Sequence, residues 1–184
     1  AFPNESQGTV PISTSFNYSY SQSIYQSSEV SAGVLSHIDW YLNENNQNAT
    51  RTINIEIYLA EVPQTSFATN AFVPTSQLTQ VYSGPVTLSG TGWFGVDFQV
   101  PFVYTGANNL VVGVKASMGS YFFMYFGVGT ELPDYSTRSL YTGSDYQVVT
   151  PENPVSAYSN TRVPSAIFTR LPEGASVCLP VQDL

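Results

Sequence analysis

His37 and Asp39 stand two residues apart in the run Ser36-His37-Ile38-Asp39-Trp40-Tyr41. An imidazole with a carboxylate on the same side can act as a general base held by its orienting partner. His37 is the only histidine and Cys178 the only cysteine in 184 residues, so any Ser or Cys nucleophile would depend on His37. No Gly-x-Ser-x-Gly elbow occurs, and the polar outer face of a half-solvated strand accounts for the same spacing. Glycoside hydrolysis would instead need two carboxylates across a cleft. Asp39, Glu56 and Asp97 each sit opposite an apolar stripe. If their strands are neighbours, they share one sheet surface with Lys115; ordinary cross-strand pairs are the plain alternative. The same positions carry Tyr41, Tyr58 and Trp93. Aromatic faces stack on sugar rings while carboxylates and amides take the hydroxyls. The set His37, Asp39, Tyr41, Glu56, Tyr58, Trp93 and Asp97 is therefore the candidate binding face, and no residue is given a catalytic role.

Zinc would need a Cys/His cluster that this composition cannot supply. Calcium needs only carboxylates and carbonyls on loops. Asp134, Asp145 and Glu152 share one long loop, and Glu29 precedes a strand, so these are the residues that would take Ca2+. Solvated surface acids are the simpler alternative, and no cofactor is otherwise implied. The glycines lie between strands, which excludes phosphate cradles at strand-to-helix turns. Cys178 reads as a small buried hydrophobe.

The elements that must position these residues are strands. Charged residues are 10% of the chain and aromatics 14%, which favours sheet over helix. Five Lys and Arg against 13 Asp and Glu give a net charge of −8. That excludes a nucleic-acid binder and argues against adhesion to anionic lipid. Nothing approaches 18 consecutive apolar residues, so no transmembrane helix is expected. Period-two alternation recurs along the chain. It predicts four inward sets: Val34/Ile38/Trp40/Leu42, Ile53/Ile55/Ile57/Leu59, Phe94/Val96/Phe98/Val100 and Leu110/Val112/Val114. Leu35, His37, Asp39 and Tyr41 point the other way. Tyr121 to Phe126, aromatic on both faces, predicts a strand covered on both sides.

Short turns such as Ser83-Gly84-Pro85, Ser89-Gly90-Thr91-Gly92 and Thr105-Gly106-Ala107-Asn108-Asn109 separate the runs. Together they predict an all-β fold: an antiparallel two-sheet β-sandwich, jelly-roll-like, of nine or ten strands. Segment 62–79 reads as a long connection with one helical turn. The stretch 128–160 is the longest poorly periodic one. Val163 to Arg170 reads as a closing strand, which sets a sandwich domain at 1–172, followed at 173–184 by a linker and the start of another domain. A chain beginning at Ala1 without a signal-peptide pattern reads as a mature or excised fragment.

A series of short motifs adds a resemblance. Pro11-Ile12 precedes Tyr18-Ser19-Tyr20-Ser21-Gln22-Ser23-Ile24-Tyr25. Then come Ile38-Asp39-Trp40-Tyr41, Arg51 to Leu59, Val81-Tyr82-Ser83-Gly84, Gly92-Trp93, Pro101-Phe102-Val103-Tyr104 and Asn109-Leu110-Val111-Val112. Over roughly residues 8–170 the chain resembles a β-sandwich accessory module of large secreted and cell-surface Bacteroidota proteins, the adhesins and proteases exported by the type IX route. Cys178-Leu179-Pro180-Val181-Gln182-Asp183-Leu184 resembles the first strand of a fibronectin type III domain, cut short. The resemblance implies a secreted or cell-surface module within a multidomain parent chain, with a glycan or a surface protein as partner and no catalytic motif. The alternatives are a structural spacer or assembly domain without a ligand, and a glycoside hydrolase or protease with an atypical acid site.

Overall fold

The computed structural model describes residues 7–45, 50–120 and 122–174. In chain order they form β1 (Gln7–Gly8), β2 (Tyr18–Tyr25), β3 (Gly33–Asn45), β4 (Arg51–Val62), β5 (Thr79–Leu88), β6 (Gly92–Tyr104), β7 (Asn109–Ser117), β8 (Met124–Glu131), β9 (Ser139–Ser144), β10 (Tyr158–Asn160), β11 (Arg162–Pro164) and β12 (Ala166–Arg170). The only helical turn among them is a 3-10 turn at Thr75–Gln77, inside the connection where one was expected. Pro74 before that turn fixes its φ, and the carbonyls of Pro74 and Thr75 accept from Gln77 N–H and Leu78 N–H at 3.0 Å each. No described helix is long and apolar enough to cross a membrane.

The strands make a two-sheet antiparallel β-sandwich. One sheet runs β10-β9-β2-β7-β4-β5. The other is built on β3, with β6 along one edge and β12 and β8 along the other; β1 and β11 pair with β8. β6, β7, β8 and β9 fall alternately in the two sheets, so the chain crosses the sandwich at each turn in a jelly-roll-like manner. The interior between the sheets holds Ile38, Trp40 and Leu42 of β3, Ile53, Ile55, Ile57 and Leu59 of β4, Val96 and Phe98 of β6, and Leu110, Val112 and Val114 of β7. These are the stripes that the alternation marks as inward. Trp40 is fully buried and stacks on Phe94, centroids 6.2 Å apart.

The sequence reading needs correction in six places. Ser83-Gly84-Pro85 lies inside β5, paired with β4, rather than at a turn, and the described residues form twelve strands rather than nine or ten. The pairing of β3 with β6 shifts register between Leu35 and His37. A bulge of this kind inserts one residue and reverses the alternation behind it. Leu35 is therefore buried in the core, and Val34 is only half-buried. Phe94 and Val100 are half-buried rather than enclosed. Phe123 is exposed, so the 121–126 run is not covered on both sides there. Finally, 128–160 is not one loop: it contains the end of β8, all of β9 and β10, and pairings to β2. Its short strands carry too few residues for alternation to stand out.

A second apolar cluster lies on the outer side of the β2–β7–β4 sheet. Tyr20, Ile24, Ala60, Val62 and Val111 meet Phe67, Phe72 and Val73 from the 63–74 connection, with Leu140 and Val149. Gln22, fully buried, ties that connection down. Its Nε2 donates to Val73 O at 2.7 Å and to Tyr20 Oη at 2.8 Å, and its Oε1 accepts from Val73 N–H at 2.7 Å. β7 is thus buried on both faces over Leu110–Val114.

Candidate functional site

On the outer face of the other sheet the register brings three strands into a grid. Thr169, His37 and Asp97 lie side by side on β12, β3 and β6. The next row holds Ile167, Asp39 and Gly95. The third pairs Tyr41 with Trp93, and Ser165 accepts from Tyr41 N–H at 3.3 Å on the far side. Alternation along β3 and β6 turns these side chains outward because their neighbours Ile38, Trp40, Val96 and Phe98 are held in the core.

His37 lies between two carboxylates. Its Nδ1 is 2.6 Å from Asp97 Oδ1 and its Nε2 is 3.2 Å from Asp39 Oδ2. Only the imidazolium can donate from both nitrogens at once. Partial burial alone would push the imidazole pKa down, but the hydrogen bonds to Asp97 and Asp39 and their negative charges outweigh it, and the pKa is raised above its ordinary 6.5. Gly95 makes room for this arrangement. A Cβ there would lie 2.5 Å from Asp39 Oδ1 and 2.6 Å from His37 Nε2, so both side chains lean over a position that only glycine leaves open. Asp97 is 94% exposed, whereas His37 and Asp39 are about a quarter exposed. Trp93 is 42% exposed and packs edge-on against Tyr41, with centroids 5.4 Å apart and planes at 73°. Ile167, 46% exposed, continues the apolar side of the face.

Glu56 and Tyr58 are not part of this grid. Their strand, β4, belongs to the opposite sheet, so of the seven predicted residues five come together and two do not. Lys115 donates to Glu56 Oε1 at 2.9 Å, and Tyr58 Oη–H donates to Glu56 Oε2. Burial would raise the Glu56 pKa, but the bonds from Tyr58 and Lys115 lower it overall. Burial, reinforced by the Glu56 carboxylate, drives the Tyr58 pKa up. This trio satisfies itself and leaves little for a ligand. Gly95, Ile167 and Thr169 are the members of the face that the sequence reading left out. A glycine inside an otherwise regular strand was the available signal for the first, since it marks a close approach.

The carboxylates considered for calcium do not converge. Asp134 Oδ1 accepts from Ser136 N–H at 3.1 Å, Asp145 Oδ1 from Asn17 N–H at 3.0 Å, and Glu152 from Thr75 N–H and Oγ1–H at 2.7 and 3.1 Å. Each pins a different turn or connection. Glu29 is engaged elsewhere: it holds Arg138, whose side chain is buried and also donates to Ile24 O at 2.9 Å. Among the described residues no group of three or more His, Cys, Asp or Glu could hold a metal. Cys178 and the expected start of a following domain within 173–184 fall, from residue 175 on, outside the described residues. The backbone still pairs at Leu171, whose N–H donates to Val34 O at 2.8 Å. A depression of about 880 Å³ lies at that end, between Ala32–Val34 and Phe168–Gly174, and of the grid residues it touches Thr169 alone. No known family model matches the chain, and no curated protein matches it.

Proposed function

We propose that this chain is a non-catalytic binding module of a larger secreted or cell-surface protein, and that its β3–β6–β12 face holds a glycan. The observation that carries this reading is Trp93: large, 42% exposed, held edge-on by Tyr41, and on the same sheet face as the His37/Asp39/Asp97 cluster. A fixed aromatic anchor beside oriented acceptors suits a sugar ring and its hydroxyls. Catalysis is disfavoured because both ring nitrogens of His37 face carboxylates, which leaves neither to take a proton from a nucleophile. The accessory-module resemblance in the sequence supports the same habitat, and the net charge of −8 points away from phosphate backbones.

A spacer or assembly role is the second reading, supported by the loop-covered outer side of the β2–β7–β4 sheet. A glycan array on the full chain, with and without calcium, separates the two. Binding that disappears in Trp93→Ala, with the fold intact by circular dichroism, supports the module. An array without a single hit, repeated with calcium, leaves the spacer.

A further inference from the structure

Resting on that glycan reading, we infer that the β3–β6–β12 face selects neutral sugars and excludes acidic ones, and that Asp97 sets the exclusion. Among the described residues the charges facing the site are few. β3 contributes His37 and Asp39, and β6 contributes Asp97. β12 contributes Ile167 and Thr169, which are uncharged. Arg170, the nearest arginine on β12, pairs with Leu35 beyond the His37 row, and its Nη1 donates to Ala32 O at 2.9 Å. Lys115 is on the other sheet, with Glu56. Two carboxylates and one imidazolium leave the face at −1, and a neutral imidazole leaves it at −2. The chain as a whole carries −8, so near and distant fields have the same sign.

The acceptors also lie in a line that suits hydroxyl donors. Along β6 comes first the exposed ring of Trp93. Next is Asp39 Oδ1, leaning over Gly95, and then Asp97, which is almost fully in solvent. His37 takes Oδ2 of Asp39 and Oδ1 of Asp97, which leaves the second oxygen of each carboxylate to accept from a ligand. A neutral sugar stacked on Trp93 meets acceptors for its hydroxyl protons. A uronate or sulfate in the same place brings a second anion against Asp97 with no arginine or lysine of the grid to receive it. At about 4 Å in water that repulsion is of order 1 kcal/mol, or roughly fivefold in affinity.

The test measures binding of the full chain to immobilised xyloglucan and galactomannan as neutral probes, and to polygalacturonate and chondroitin sulfate as acidic ones. It is run at low and high salt with wild type, Trp93→Ala and Asp97→Asn, each checked for an unchanged fold by circular dichroism. At least one neutral polymer should bind and lose about tenfold or more in Trp93→Ala. The acidic polymers should bind at least about fivefold more weakly at low salt, and both added salt and Asp97→Asn should narrow that ratio. Acidic polymers held as tightly as neutral ones at low salt, with the loss in Trp93→Ala intact, would overturn the charge selection and leave the glycan reading standing. A ratio unmoved by Asp97→Asn would overturn the part given to Asp97. No polymer of either class bound, or binding indifferent to Trp93→Ala, would overturn the glycan reading and the inference together.

Discussion

On the outer side of the β2–β7–β4 sheet, Phe67, Phe72 and Val73 fold back over Tyr20, Ile24, Ala60, Val62 and Val111. On the outer side of the β3–β6–β12 sheet, Trp93 and Ile167 remain more than two-fifths exposed. Both faces are written in the sequence as the non-core half of an alternating strand. What separates them is the connections. The 63–74 segment returns across one face and is fastened there by Gln22, whereas the turn from β5 into β6 at Ser89-Gly90-Thr91 is too short to cover anything. The polar residues differ accordingly. Glu56, Tyr58 and Lys115 bond to one another. His37, Asp39 and Asp97 also bond to one another, but with two carboxylates for one imidazole they keep acceptor capacity in excess. One face acts as a second core and the other as a surface with unused chemistry.

The sharpest way to break this contrast is to delete one buried or one exposed side chain from each face. Leu140→Ala, fully buried in the outer cluster, should cost about 2–5 kcal/mol, as in an ordinary core. Trp93→Ala should cost less than about 1.5 kcal/mol, the scale of its edge-on contact with Tyr41. Urea unfolding of the two variants measures both. Comparable losses would mean that the two faces do not differ in kind.

Gln22→Ala comes next in size. It strips Val73 N–H and C=O of their partners beneath the 63–74 connection, and a buried polar group left unpaired costs about 1–3 kcal/mol. Hydrogen exchange should also rise at Val73 and its neighbours. Loss of stability without faster exchange there would show that the connection is held by its apolar contacts alone.

These residues also mark how far the sequence could be read. Inward stripes such as Ile53/Ile55/Ile57/Leu59 were legible because period two is a local property of a strand. The exchange of Val34 and Leu35 was not, since a bulge is set by pairing with β6 and leaves no composition signal. The grouping of His37, Asp39, Tyr41, Trp93 and Asp97 was legible as a shared polarity. The separation of Glu56 and Tyr58 from them was not, because alternation fixes which side of its own sheet a residue takes and says nothing of which sheet the strand joins. The second core was hidden for a related reason: its cover comes from a connection whose Phe67, Phe72 and Val73 have no strand period to declare them.

A smaller effect should follow from Gly95→Ala. Its Cβ displaces Asp39 Oδ1 and His37 Nε2, and both are the ends of side chains that can turn aside. The stability change should stay under about 1 kcal/mol, a shift of roughly 2–4 °C in melting temperature. The His37 pKa, however, should fall toward 6.5 as the Asp39 contact loosens, as read from imidazole proton shifts in an NMR titration. An unchanged titration would mean that Gly95 is not what lets the three side chains converge.

The smallest effect, and the one that tells the two faces apart without altering either, is the sign of their pH dependence. The His37 pKa is raised in the folded chain, so its contribution is fully present below the unfolded value near 6.5 and is lost as pH rises through the folded value above it. The Glu56 pKa is lowered, so its contribution is present above its ordinary 4.5 and is lost as pH falls through the folded value below it. The His37 row therefore weakens as pH rises above 6.5, and the Glu56 trio on the other sheet as pH falls below 4.5. Melting curves across that range on wild type, His37→Gln and Glu56→Gln separate the two from the other titrating acids. Relative to wild type, His37→Gln should lose stability at acid pH and converge with it as pH rises above 6.5. Glu56→Gln should do the reverse, converging with wild type below 4.5. Should His37→Gln instead run parallel to wild type through the whole range, the imidazolium does not bridge Asp39 and Asp97 in solution, and the excess of acceptors on the open face is larger than its geometry implies.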